Sequence, residues 1–261
     1  PNVFNALFET ISGYTTTGAT ILSDVESLSK CLLFWRSFTH WIGGMGVLVF
    51  MLSILPLAGG NNMHILRAES PGPSVGKLVP RLRSTATILY AIYAALTFIE
   101  FVLLLLGGMS LFDAVTTAFA TAGTGGFGIK NSSMAEYSVY IQNVVAIFMV
   151  LFGVNFAIYF LFLIKKPKEA LKSEELRTYL GIIFISTIVI GFNIKDSFSS
   201  IWVALQQAFF QVASIITTTG FSTVDFNTWP ALSKTIIVIL MFIGGCAGST
   251  GGGIKVSRIL I

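Results

Sequence analysis

The chain has 261 residues, 54% of them hydrophobic and only 11% charged, with a formal net charge of +4. About a quarter of residues are charged in a soluble globular domain, so this balance excludes one and puts the chain in a bilayer. The two cysteines, Cys31 and Cys246, are too few for a disulfide framework and are expected unpaired.

In chain order, residues 3–14 read as a short amphipathic helix that runs into Thr15-Thr16-Thr17-Gly18-Ala19, followed by a helix over about 32–55. Residues 1–55 thus form a first repeat whose leading helix is missing. Residues 56–83 read as a loop carrying Arg67, Lys77, Arg81 and Arg83. The second repeat, 84–164, has a helix over 84–108, a short segment over 110–122, the stretch Gly123-Thr124-Gly125-Gly126-Phe127, an outer loop, and a helix over 138–164. Residues 165–176 are a second basic loop with Lys165, Lys166, Lys168 and Lys172. The third repeat, 177–261, has a helix over 177–194, a short segment over 199–216, Thr217-Thr218-Thr219-Gly220-Phe221, and an interrupted helix over 233–261. The chain starts at Pro1 without Met, so it reads as a piece of a longer protein.

Of the apolar runs, 84–106 and 139–164 satisfy the roughly 20 residues that a lipid core about 30 Å thick demands. Residues 178–194 look short for a span and 233–243 is interrupted. The two basic loops are expected on the cytoplasmic side. Anionic headgroups account for part of that charge without a protein partner. The loops after the polar stretches, with Asp24, Glu26, Glu136 and Asp225, are expected outside.

The short segments, roughly 18 to 27 Å long as helices, cannot span. Glu9 and Asp113 make them poor lipid-facing helices, so each is expected to enter part-way and to be surrounded by protein. A half-helix whose C-terminus points into the membrane offers a cation its negative dipole end. Backbone carbonyls can replace an alkali ion's water shell without a fixed charge that traps it. Glycine tolerates the φ values that turn successive carbonyls toward one axis, and Thr16, Thr17, Thr124, Thr218 and Thr219 add hydroxyls. A single such stretch equally suits close packing of small residues. Three, with glycines 18, 126 and 220 spaced by 108 and 94 residues, favour an ion pathway.

Between Gly244 and Gly253 six of ten residues are glycine, each costing about 1 kcal/mol in a helix interior relative to Ala. A break is expected there, roughly 16 Å into the helix, as a mobile loop that few side chains lock. Tight helix crossing is the competing explanation. A phosphate loop over 248–255 is disfavoured, because Ile254 separates Gly253 from Lys255 and no Ser or Thr follows the lysine. Lys255 and Arg258 either form a positive barrier or snorkel to headgroups. Glu100 sits inside an apolar helix without an evident partner, and Arg36 and His40 read as interfacial.

Thr15-Thr16-Thr17-Gly18-Ala19-Thr20, Trp41-Ile42-Gly43-Gly44-Met45-Gly46, Gly125-Gly126-Phe127, Thr217-Thr218-Thr219-Gly220-Phe221 and the run from Gly244 to Lys255 resemble the Trk/Ktr/HKT potassium-transporter superfamily, particularly its bacterial TrkH and KtrB branch. The resemblance implies an all-α polytopic membrane protein of helix–pore loop–helix units around a pseudo-fourfold pore, with a fourth repeat beyond this chain. It implies a filter for K⁺ at Thr16, Thr17, Gly18, Ala19, Thr124, Gly125, Gly126, Phe127, Thr218, Thr219, Gly220 and Phe221. It also implies an intramembrane gate at Gly244, Gly245, Gly248, Ser249, Thr250, Gly251, Gly252 and Gly253. The expected setting is a homodimer in the lipid of the cell inner membrane, multi-pass, with a cytosolic nucleotide-binding regulatory subunit of the TrkA/KtrA kind. No enzymatic activity, covalent cofactor, resident metal or nucleic-acid partner is expected, K⁺ being the cargo. The alternative is an H⁺- or Na⁺-coupled potassium symporter that uses Glu100 or Glu9. A purely structural assembly subunit is the third possibility.

Overall fold

The computed structural model describes residues 2–46 and 82–260, with side chains in the second stretch from Thr87 onward. The expected helix residues 47–55, the loop 56–81 and the side chain of Arg83 lie outside the described residues.

The described chain is helical. α1 (Val3–Tyr14), α2 (Lys30–Gly44), α3 (Leu82–Leu106), α4 (Leu111–Ala122), α5 (Val139–Phe152), α6 (Phe156–Leu163), α7 (Pro167–Leu171), α8 (Glu174–Asn193), α9 (Ile201–Ile216), α10 (Ala231–Phe242) and α11 (Val256–Ile259) follow in order. Helix starts are written in the sequence as small polar caps. The side chains of Asn2, Ser110, Ser138, Asn155, Ser173 and Ser200 each accept a first-turn amide, a donor that otherwise stays unmet.

α3 and α8 are long and apolar enough to cross a membrane. The 177–194 helix, judged short from its apolar run, is therefore a full 20-residue span. Its first turn is polar and acidic, so the helix begins before the apolar run does. The expected continuous helix over 138–164 is a correction in the other direction. It breaks at Gly153, Val154 and Asn155, and α5 and α6 meet at 90°. Asn155 recaps the chain by accepting the Ala157 amide at 2.9 Å.

Each short helix precedes its polar stretch, as expected. α4 packs between α2 and α3, and α9 between α8 and α5. Their small and polar faces, Thr116, Thr117, Ala118 and Ala120 in one and Gln207, Ala208, Gln211 and Ser214 in the other, are buried. α1 departs from the expectation of enclosure. Only Ser12 and Gly13 are buried there, and Val3 and Phe4 are 79% and 75% exposed, because no described helix covers that face.

Two apolar cores hold the repeats together. One joins Tyr93, Leu104, Ala118, Met149, Phe152 and Phe156; the other joins Tyr179, Ile183, Ala208, Val212, Ile237 and Cys246. Val150, Tyr159 and Phe209 touch both cores, so the second and third repeats share one interior.

Candidate functional site

The three polar stretches take one backbone path. The residue two before each glycine has a left-handed φ, Thr16 at 53°, Thr124 at 51° and Thr218 at 60°. The glycines follow at 70° (Gly18), 75° (Gly126) and 85° (Gly220). For threonine such a φ costs about 1–3 kcal/mol, so its recurrence at three equivalent positions marks a shape that the fold enforces. The main-chain bonds repeat too. Thr16, Thr124 and Thr218 donate to Gly13, Thr121 and Ile215, while Thr17, Gly125 and Thr219 donate to Ser12, Ala120 and Ser214, all at 2.9–3.1 Å.

The loops abut in sequence order. A Cβ on Gly18 would fall 1.8 Å from the Gly125 carbonyl oxygen, and one on Gly126 would fall 1.9 Å from that of Thr219. The corresponding side of Gly220 meets no described atom within 4 Å. Thr124, Gly125, Phe127, Thr219 and Phe221 are buried, whereas Thr17, Ala19 and Gly220 are exposed and Thr16, Gly18, Gly126 and Thr218 lie between.

The glycine-rich segment after α10 is non-helical, as its composition demands, and lies against the second and third loops. Thr124 donates its hydroxyl to the Thr250 carbonyl at 3.0 Å, and the Gly252 amide donates to Thr218 Oγ1 at 2.7 Å. Gly251 sits where a Cβ would come within 3.0 Å of the Thr217 carbonyl oxygen.

This segment is not the loosely held loop expected from its glycines. Gly244 donates to the Ile254 carbonyl and Ile254 to that of Phe242, pinching the base of the loop. Its interior docks on the bend between α5 and α6. The Cys246 amide donates to Gly153, the Phe156 amide to Gly248, and both the amide and the hydroxyl of Thr250 to Phe152. Gly245 packs on Gly153, and Gly248 packs on Asn155. Ser249 donates back to the Cys246 carbonyl. Lys255 does not snorkel: its ammonium donates to the Gly251 carbonyl.

A family model described as TrkH, cation transport protein, matches residues 1–261. The chain belongs to the TrkH family. It is an integral membrane protein of a transport family, not of an enzyme family. It is 41% identical over 266 residues to the Trk system potassium uptake protein TrkH of Escherichia coli K12, covering 99% of this chain and 55% of that protein. Against Trk system potassium uptake protein TrkG of the same strain the identity is 36%, over 98% and 54% of the two chains. The crystal structure of the potassium transporter TrkH from Vibrio parahaemolyticus superposes with a TM-score of 0.84 at 37% identity, covering 100% of this chain and 54% of that one. The chain thus spans about half the length of the TrkH proteins it matches.

Two features of this chain were not legible beforehand. Arg36 and His40 are not interfacial but buried behind the first two loops. Arg36 pairs with Glu9 at 3.1 Å and lies 4.0 Å over the Phe127 ring. The other Glu9 oxygen accepts the Thr20 hydroxyl at 2.6 Å and the Ile21 amide at 2.8 Å. One carboxylate therefore holds the exit of the first loop and the cation packed on the second. The signal was Glu9 in a short helix that cannot face lipid, which demands a buried partner.

Glu175 is the second. From the first turn of α8 its Oε1 accepts the Ala247 amide at 2.6 Å and the Ser257 amide at 3.3 Å, clasping both flanks of the glycine-rich segment. In sequence it reads only as a first-turn acid. Glu100, which the sequence already places inside an apolar helix without an evident partner, is fully buried in α3. Its carboxyl faces Thr121, whose hydroxyl donates instead to the Thr117 carbonyl, so neither carboxyl oxygen has a donor in hydrogen-bonding geometry among the described residues.

Proposed function

We propose that this chain is the larger part of a channel-like potassium uptake subunit of the inner membrane, with the three Thr–Gly loops as its selectivity filter. The observation that carries the proposal is the threefold recurrence of a left-handed threonine followed by a left-handed glycine, in loops that abut glycine against carbonyl. Alternating left-handed residues orient successive carbonyls alike, which supports Thr16, Thr17, Gly18, Ala19, Thr124, Gly125, Gly126, Phe127, Thr218, Thr219, Gly220 and Phe221 as the lining of a dehydrating oxygen cage. The C-termini of α1, α4 and α9 lead into the cage and favour a cation. Gly220 leaves its side open in the sense in which Gly18 and Gly126 are filled. A fourth loop of the full-length protein belongs there, closing a pseudo-fourfold ring.

The segment containing Gly244, Gly245, Gly248, Ser249, Thr250, Gly251, Gly252 and Gly253 is the gate beneath the filter. Its contacts with Thr124 and Thr218 support that assignment. The basic stretch of residues 165–173 leads into α8, whose Glu175 holds the gate, so a cytosolic nucleotide-binding regulator of the TrkA/KtrA kind has a short route to it. The relatives' name, a Trk system, agrees with a multi-component assembly. The homodimer remains part of the proposal. Ion flux by the full-length protein tests it, with Gly18→Ser, Gly126→Ser and Gly220→Ser made singly. Altered K⁺ over Na⁺ selectivity is expected in each, and unchanged selectivity in all three removes the filter.

One observation favours the coupled symporter as a second reading. Glu100 is buried facing the Thr121 hydroxyl, with neither oxygen in hydrogen-bonding geometry among the described residues, as a proton carrier would be, whereas Glu9 is fully engaged. A reversal potential that follows the proton gradient at constant K⁺, and loses that dependence in Glu100→Gln, would establish it.

A further inference from the structure

The first and third Thr–Gly loops brace themselves. Ser12 and Ser214, six residues before Gly18 and Gly220, donate to the Ala19 and Phe221 carbonyls at 2.7 and 2.6 Å. Thr15 and Thr217 donate to the Ile11 and Ala213 carbonyls. Their hydroxyls also meet those of Thr17 and Thr219 at 2.8 Å in both loops. Three hydroxyl-bearing residues thus tie each bend to the helix before it.

The second loop lacks all three. Ala120, Gly123 and Gly125 occupy the corresponding positions, yet its main chain follows the same path, with Thr124 and Gly126 in the same left-handed region. Something outside the repeat must replace the missing braces. The space is taken by His40 of α2. A Cβ on Gly123 would lie 2.2 Å from the His40 carbonyl oxygen, and one on Gly125 would lie 2.4 Å from His40 Nδ1. Side chains at 123 and 125 are therefore excluded by the histidine.

His40 also holds the end of the loop. Its ring stacks on Phe127 with centroids 4.2 Å apart and planes 19° from parallel, and the Phe127 amide donates to Nδ1 over a long 3.5 Å. The ring is fully buried, and Nε2 has no partner among the described residues. An unmet buried polar atom costs stability that a phenylalanine ring would not. What the imidazole adds in exchange is the Nδ1 acceptor.

We propose that His40 is the positioning residue of the second filter loop, an inter-repeat brace replacing the hydroxyls that the other two loops carry themselves, and that ion selectivity depends on it. The proposal rests on the filter assignment above. It makes the filter asymmetric in its support: the first and third loops are held by their own helices, the second by a helix of the preceding repeat.

The test uses the full-length protein in membranes and reads the K⁺ over Na⁺ permeability ratio beside thermal stability. His40→Phe keeps a buried ring and removes the acceptor. We expect stability to be kept or raised while the ratio falls about tenfold, the effect of about 1.4 kcal/mol. Adding Ala120→Ser in that background installs the serine brace of the other two loops and should recover most of the ratio. A wild-type ratio in His40→Phe overturns the brace, and so does a lowered ratio that Ala120→Ser leaves unrepaired. Gly126→Ser is the control. If it changes the ratio while His40→Phe does not, the brace alone is wrong; if Gly126→Ser, Gly18→Ser and Gly220→Ser all leave the ratio unchanged as well, the filter assignment fails with it.

Discussion

The Gly125 carbonyl oxygen occupies the place where any side chain at position 18 would begin, 1.8 Å from an ideal Cβ on Gly18. Glycine there serves two ends at once. It permits φ of 70°, and it lets one repeat's loop seat directly on the main chain of the next. Gly126 repeats both relations with Thr219.

Gly18→Ala and Gly126→Ala therefore meet backbone that cannot swing aside, in addition to about 1–2 kcal/mol of left-handed strain. Each is expected to abolish selective flux. Gly220→Ala carries the strain alone among the described residues, so equal damage in the full-length protein would show that another loop seats on Gly220. Flux ratios of the three variants at matched membrane abundance decide this.

The Glu9–Arg36 pair is nearly desolvated, with side chains 13% and 8% exposed. Removing one partner strands the other charge. Arg36→Met is expected to lower stability by about 3–5 kcal/mol, with Glu9→Gln similar in direction. The double variant should lose less than the sum, since it strands no charge. Thermal unfolding of the full-length protein in detergent measures all three.

Much of this was readable from the amino-acid order. The Thr–Gly loops declared themselves by repetition, and the glycines of 244–253 by their cost to a helix. The bend at Gly153 did not, because one glycine in an apolar run is tolerated and the contacts that hold the bend come from Cys246, Gly248 and Thr250, far along the chain. Arg36 and His40 were misplaced for the same reason: their partners Glu9 and Phe127 lie on other elements. The firmness of the glycine-rich segment was hidden because main-chain hydrogen bonds, not side chains, tie most of it down.

Glu175 links the start of α8 to the glycine-rich segment, the proposed gate, through two amides. Glu175→Ala leaves the Ala247 amide without its acceptor and frees one flank of the loop. The expected outcome is a higher K⁺ leak in the absence of the cytosolic regulator, with selectivity unchanged. Single-channel or liposome flux at matched abundance checks it, and Glu175→Gln, which keeps a carbonyl acceptor, should fall between.

In the loops that follow the first two polar stretches, Asn131 joins two repeats. Its side-chain amide donates to Asp24 at 2.7 Å, its carbonyl accepts the Val25 amide, and its own amide donates to Glu26. The Asn131 bond holds the Asp24 carboxyl below its ordinary 3.8, and Lys130 together with Ser132 does the same for Glu136. A carboxylate with a lowered folded value stabilises above its ordinary value and loses that contribution as pH falls through the lowered one. External acidification should therefore leave the clasp intact down to about pH 4 and weaken it below. Asn131→Ala should remove the Asp24 part of that acid sensitivity in a thermal-unfolding series.

The filter assignment is tested most directly by soaking crystals of the full-length protein with rubidium, a potassium-sized ion with an anomalous signal. Anomalous density is expected on one axis enclosed by the Gly18, Gly126 and Gly220 loops, within carbonyl-coordination distance of all three. Rubidium bound elsewhere in the membrane region, with that axis empty, would contradict the assignment.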